Sequence, residues 1–277
     1  MPGTQRSFRL EAVVLRHSDW GEADRLLILY TRERGKVRAI AKGARKVKSR
    51  KAGHLEPFTR VTLQLARGRD LLIVTQAETI DAYQPLREDL VKTGYASYLV
   101  ELLDRFTYEE ESENYNIFRL LTETLSRITS EADPWLAIRY YEVRLLDHLG
   151  FRPQLFECAN CRKEIQAVDQ FFSAAQGGVL CPRCGVDPST TPSLHSGLRL
   201  PGLAARAGRA SLPGVWEVSV EALKYLRHFQ RSSYAEAQRA RPSPQVRDEV
   251  EALMQRYFTY LLERELNTPG FIRRVRA

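Results

Sequence analysis

The hydrophobic period of the chain changes near residue 84, and this change limits the possible folds more than any other feature. Before it, apolar residues fall in short runs rich in Val, Ile, Leu and Thr at 9–16, 25–31, 36–41, 58–65 and 71–78, which predicts five strands. Turn chemistry separates them: Gly21 between Asp19 and Asp24, then Arg34-Gly35, the long 43–57 stretch, and Arg67-Gly68-Arg69-Asp70. Five strands so spaced fit a small barrel or a five-stranded Greek key, and periodicity alone leaves an SH3-like barrel open as well. From Pro85 onward the spacing is helical. Leu90, Tyr95, Leu99, Leu102 and Phe106 form one apolar stripe, and Phe118, Leu121, Leu125 and Ile128 form another.

Asp133 before Pro134 is a helix start, because the proline needs no donor in the first turn, and Gly150 is a stop, giving a helix at about 134–149. Past residue 187, Val218, Ala222, Tyr225 and Phe229 resume the period. A last long helix opens at Ser243-Pro244 and carries Val246, Val250, Leu253, Tyr257 and Leu261. The basic tail 271–277 is expected to be mobile. The 277 residues suffice for one large or two modest domains, and no apolar run approaches the length of a membrane span. The N-terminus shows no apolar secretory region, so a cytoplasmic protein with reduced cysteines is expected.

All four cysteines lie in one stretch. Cys158-Ala-Asn-Cys161 is followed, after 19 residues, by Cys181-Pro-Arg-Cys184, the pattern of a zinc site, with two disulfides or four free thiols as the alternative. Two thiolates three residues apart on a tight turn can face one metal, and two such turns complete a tetrahedron. Four sulfur ligands leave no open coordination position, so the expected role of one Zn2+ is structural, coupling metal binding to folding of an insert too small for its own core. Gly185 and Gly177-Gly178 are read as supplying the backbone freedom of such turns.

The net charge is +8, and it is localised. Residues 32–51 hold ten Lys and Arg against one acid, whereas the other 257 residues are close to neutral. Lys36 and Arg38 alternate with apolar residues and share one face of the third expected strand. Lys42, Arg45, Lys46, Lys48, Arg50 and Lys51 follow in the connection after it. A cationic strand and loop on a small barrel is a platform for a polynucleotide backbone. Phosphate contacts give affinity without sequence information. With about six phosphates neutralised, the salt slope on single strands would be about -4. Phe8, Trp20, Tyr30, Phe58 and Tyr83 are mostly assigned to the core, which makes base stacking a minor contribution.

No enzymatic signature emerges: the chain lacks a phosphate-binding P-loop, G-x-G-x-x-G, H-E-x-x-H and G-x-S-x-G. The five histidines, at 17, 54, 148, 195 and 228, are scattered. Asp19, Glu22 and Asp24 offer a magnesium nuclease reading, against which stands their ordinary role in a turn beside basic strands.

Three segments together resemble one family. They are Gly21-Glu22-Ala23-Asp24-Arg25-Leu26-Leu27 with Thr31-Arg32-Glu33-Arg34-Gly35-Lys36, Ala41-Lys42-Gly43-Ala44-Arg45-Lys46 with Lys48-Ser49-Arg50 and Leu55-Glu56-Pro57-Phe58, and Leu149-Gly150-Phe151-Arg152-Pro153 running into the cysteine stretch. In these the chain resembles the RecO family of bacterial recombination mediators. The resemblance implies an α+β multidomain protein: a five-stranded OB-fold barrel at 1–83, then an all-α helical domain at 84–154 and 188–277, with an inserted four-cysteine zinc ribbon at 155–187. It also implies a non-enzymatic DNA-repair protein, cytoplasmic and nucleoid-associated, that binds single- and double-stranded DNA and anneals complementary strands. With the partner RecR, such a protein helps RecA load onto DNA coated by single-strand-binding protein, whose acidic C-terminal tail the helical domain takes. The family's DNA surface carries over to Lys36, Arg38, Lys42, Arg45, Lys46, Lys48, Arg50 and Lys51, and its zinc ligands to Cys158, Cys161, Cys181 and Cys184. Arg139 or Arg144, beside an apolar helix groove, is the cation offered for the tail. The alternative is an RNA-binding factor built from the same two modules.

Overall fold

The computed structural model describes residues 7–109, 115–186 and 214–276. In chain order the strands β1 (Ser7–Trp20), β2 (Asp24–Thr31), β3 (Gly35–Ala41), β4 (Arg60–Arg67) and β5 (Leu72–Asp81) are followed by helices α1 (Pro85–Glu88), α2 (Leu90–Phe106), α3 (Tyr115–Ser130) and α4 (Trp135–His148). Then come β6 (Gln170–Ser173), β7 (Gly178–Leu180), α5 (Pro182–Val186), β8 (Val215–Val218), α6 (Val220–Arg231), α7 (Tyr234–Ala237), α8 (Pro244–Leu262) and α9 (Thr268–Arg276). The chain forms two compact units, Met1–Tyr141 with Leu266–Ala277, and Glu142–Glu265.

The five strands close in the order β1-β2-β3-β5-β4, with β3 and β5 parallel and the other pairs antiparallel. That order and its parallel closure are those of an OB-fold, which settles the choice left open by periodicity. Strict alternation builds the core: Leu10, Ala12, Val14, Leu27, Leu29, Val37, Ala39, Leu63 and Leu65 all point inward. Each buried Leu or Val contributes about 1.5–3 kcal/mol. β1 is 14 residues long, longer than the sequence suggests, because it serves two partners. Its first half pairs with β4 and its second half with β2, and a bulge between Val14 and Arg16 bends it around the barrel.

The helices begin where capping chemistry places them. The Asp89 carboxylate accepts the Val91 and Lys92 N–H groups at the start of α2, and Asp133 accepts the Trp135 N–H at the start of α4. The Ser243 hydroxyl accepts the Val246 N–H at the start of α8.

The C-terminal tail is a correction to the expectation of mobility, because 268–276 is a helix docked on α2. Gly94 of α2 permits the approach: a Cβ there would lie 3.1 Å from Ile272 and 3.3 Å from Phe271. The Glu101 carboxylate accepts the Asn267 and Thr268 N–H groups and the Thr268 hydroxyl at 2.7–3.1 Å, capping the first turn of α9. Val218 is a second correction. It ends β8, which pairs with β6 in a three-stranded sheet of order β7-β6-β8, and the helix begins only after the Ser219 cap.

Candidate nucleic-acid interface and metal centre

The eight cations singled out on β3 and its following connection separate into two groups. Lys36 is drawn inward. Its ammonium meets the Asp104 carboxylate at 2.6 Å and donates to the Asp104 and Thr107 carbonyls at 2.6 and 3.1 Å, so it serves as the cation at the C-terminal end of α2. Arg16 reaches the same carboxylate at 2.8 Å. Burial works against ionisation of Asp104, but hydrogen bonds and charge from Lys36 and Arg16 outweigh it and hold the pKa below the usual value. Arg38 is paired with Glu109 at 2.6 Å.

The connection 42–51 behaves differently, and its backbone explains why. The Gly43 N–H donates to the Asp24 carboxylate at 2.7 Å and the Arg45 N–H to the Ala23 carbonyl at 2.9 Å, which zips the loop to the β1–β2 hairpin. The Arg45 side chain completes this zip on Asp19 at 3.1 Å and on the Gly21 and Glu22 carbonyls. Ala44 and, further on, Leu55 are buried in the barrel core and fix both ends of the turn-rich stretch. Lys42, just before these anchors, and Lys46, Lys48 and Arg50, between them, are exposed, and among the described residues none has an ion-pair partner. Lys51 closes the stretch by donating to the Val74 carbonyl at 3.0 Å. A held loop carrying four solvent-facing cations can meet phosphates with little ordering cost.

Of the acid trio, Asp19 and Asp24 brace this loop, and the three do not gather into a metal-binding set among the described residues. His17 lies 3.5 Å from Glu56, His54 bonds Thr79, and His228 bonds Ser232. His195 lies outside the described residues. Arg139 is a further correction, since it is buried and offers no surface cation to a partner peptide. Arg144 donates to the Gln230 carbonyl at 3.0 Å.

The cysteines converge. All four thiols are free, and their sulfurs lie within 4.8 Å of one another. Cys161 and Cys181 are 3.8 Å apart at sulfur. A disulfide needs about 2.05 Å. A tetrahedral ion with metal–sulfur bonds of about 2.3 Å has sulfur–sulfur edges of about 3.8 Å. The first turn closes with the Arg162 N–H on the Cys158 carbonyl at 2.9 Å and Arg162 at φ 62. The second closes with the Gly185 N–H on the Cys181 carbonyl at 2.9 Å. Gly185 is required for space rather than backbone freedom: a Cβ there would fall 2.2 Å from the Phe171 ring. Burial opposes ionisation of Cys158, yet the N–H groups of Cys161, Cys181 and Asn160 bring its thiol down to about 7. Burial, opposed by the Asn160 side chain and reinforced by the neighbouring thiols, pushes Cys184 up to about 12. Four thiolates this close repel one another, and a bound cation is what allows all of them to ionise.

Residues 6–83 match the family described as Recombination protein O N terminal, and residues 87–269 match Recombination protein O C terminal. The chain belongs to the RecO family. It is 41% identical over 272 residues to the DNA repair protein RecO of Roseiflexus sp. (strain RS-1), covering 98% of this chain and 87% of the relative. It is 33% identical over 258 residues to that of Dehalococcoides mccartyi (strain CBDB1), covering 93% and 92%. The Symbiobacterium thermophilum protein is 31% identical over 274 residues, covering 98% of each chain. Among the described residues, no helix is long and apolar enough to cross a membrane.

On this RecO-family barrel, sequence reasoning missed two features. Trp20, assigned with most of the aromatics to the core, is 48% exposed at the tip of the β1–β2 hairpin, directly beside the Asp19–Arg45 contact. Its position as the last residue before the Gly21 turn was the available signal. The second is Asp104, whose hold on Lys36 spans 68 residues and leaves no local trace.

Proposed function

We propose that this protein is a non-enzymatic DNA-repair mediator. It binds single- and double-stranded DNA without sequence preference, anneals complementary strands and, with RecR, helps RecA load onto DNA coated by single-strand-binding protein. The observation that carries the reading is the held loop 42–51, where Lys42, Lys46, Lys48 and Arg50 face solvent at the rim of an OB-fold barrel in a RecO-family chain. Such a surface lowers phosphate repulsion between two strands and lets them pair without breaking a covalent bond. Trp20, exposed beside the Asp19–Arg45 contact that holds the loop, adds a stacking face for an unpaired base. Strand annealing of oligonucleotides coated with single-strand-binding protein tests the reading. Wild type is expected to anneal them, and the Lys42→Ala/Lys46→Ala/Lys48→Ala/Arg50→Ala variant to lose most of that activity. Equal annealing by the two would refute the assignment, and preferential binding of matched RNA would favour the RNA-factor alternative.

The second part of the proposal is that Cys158, Cys161, Cys181 and Cys184 hold one structural Zn2+ that folds the β6–β7–β8 ribbon. Metal analysis of the purified protein should give one zinc per chain. Chelation should melt the ribbon, read by proteolysis within 155–186, while DNA affinity of the barrel stays near its starting value. A chelator-resistant ribbon would contradict it.

A further inference from the structure

The four sulfurs of the metal centre are not equivalent. Cys158 and Cys184 are 0% and 5% exposed, whereas Cys161 is exposed and Cys181 half-buried. The local fold accounts for the difference. The Cys181 N–H donates to the Cys158 sulfur at 3.4 Å, which tucks that sulfur under the start of the second turn. Cys184 is buried next to Gly185, the residue with no room for a Cβ against the Phe171 ring of β6. The remaining two sulfurs, one from each turn, meet at 3.8 Å on the exposed side of the cluster. Exposed Arg162 and Lys163 follow Cys161 directly, and exposed Arg183 lies two residues past Cys181, against one acid, Glu164, in the same two short stretches. An accessible, electropositive setting is what separates reactive cysteines from inert buried ones.

We infer that Cys161 and Cys181 are a hydroperoxide-reactive pair that closes into a disulfide across the two turns and thereby empties the metal site. Emptying of the site rests on the zinc reading above; the cross-link does not. The C-x-x-C spacing on its own favours a bridge within each turn. Here each such bridge would have to draw on a buried sulfur, and the bridge across the turns joins the two accessible ones. The Cys161 thiolate attacks one oxygen of hydrogen peroxide, the O–O bond breaks, and a sulfenic acid on Cys161 and a hydroxide result. The Cys181 thiolate then attacks the Cys161 sulfur, the S–O bond breaks, and the S–S bond forms as a second hydroxide leaves. Two protons from solvent turn the hydroxides into water, and the two sulfurs have together given two electrons to the peroxide. The sulfurs close from 3.8 Å to about 2.05 Å, a short movement on the accessible side. Cys158 and Cys184 alone are then left to a metal that takes four ligands in a structural site, so Zn2+ is released. A dithiol reductant breaks the S–S bond and restores the four-sulfur set.

The test titrates the reduced, full-length protein with hydrogen peroxide. Zinc release is followed with a chromogenic chelator, and the remaining thiols are alkylated under denaturing conditions before peptide mass mapping. The expected result is a single Cys161–Cys181 disulfide that grows in step with release of one zinc per chain. Cys158 and Cys184 should be recovered as alkylated thiols, and dithiothreitol with added zinc should reverse both changes. Bridges within the C-x-x-C turns, oxidation confined to single cysteines, or zinc release without a cross-link would overturn the assignment. Protein that purifies without zinc yet forms the Cys161–Cys181 bridge would overturn the zinc reading and leave the reactive pair standing.

Discussion

The β3 face and the loop that follows it carry the same residue types a few positions apart, yet the fold uses them in opposite ways. Lys36 and Arg38 are neutralised within the chain by Asp104 and Glu109, whereas Lys42, Lys46, Lys48 and Arg50 face solvent with no ion-pair partner among the described residues. A charge run in sequence therefore sets an upper limit on a binding surface. What remains for a ligand depends on which acids the fold delivers.

Four measurements put this contrast at risk. The largest effect is expected from removing the four loop cations together, which should weaken single-strand binding on the order of 100-fold at moderate salt. Their loss should leave the melting temperature nearly unchanged, because none of them makes an ion pair among the described residues. Asp104→Asn should do the reverse, costing about 1–3 kcal/mol of stability by leaving Lys36 without its counter-charge while DNA affinity holds. Its pH dependence has a defined sign. The Asp104 pKa is lowered in the folded protein, so its contribution is complete above the ordinary value of 3.8 and is lost as pH falls through the lower folded value. The stability gap between wild type and Asp104→Asn should be full at neutral pH and shrink only below that value, as thermal melts across pH would read.

Trp20→Ala should weaken single-strand binding by about 1–3 kcal/mol if one base stacks there, with Trp20→Phe retaining most of the affinity. Quenching of wild-type tryptophan fluorescence by oligo-dT, absent in the Phe variant, would locate the contact. The smallest effect is expected from Arg38→Ala, which breaks an exposed pair with Glu109 and should change stability by less than about 1 kcal/mol. A large loss of DNA binding in that variant would erase the distinction between strand and loop.

Much of the fold was legible because it follows from local chemistry. Alternating Val, Leu and Ile gave the barrel strands to within a few residues at most ends, and Asp133-Pro134 and Ser243-Pro244 gave two helix starts. The cysteine spacing gave the sulfur cluster, since two tight turns are themselves local structure. The missed elements depend on distant partners. β8 is four residues long and becomes a strand by pairing with β6, far earlier in the chain. α9 is ordered by Glu101 and Gly94, which lie far upstream. For the same reason the sequence presents eight cations without separating the two whose charge is matched by α2 and the segment after it.

The central claim is tested most directly by the salt dependence of single-strand binding in three proteins: wild type, the four-residue loop variant, and Lys36→Met/Arg38→Gln. The account predicts a slope shallower by about 3 for the loop variant, four phosphates at about 0.7 each, and a wild-type slope for the β3 variant. A wild-type slope in the loop variant, with the loss appearing in the β3 variant instead, would contradict it.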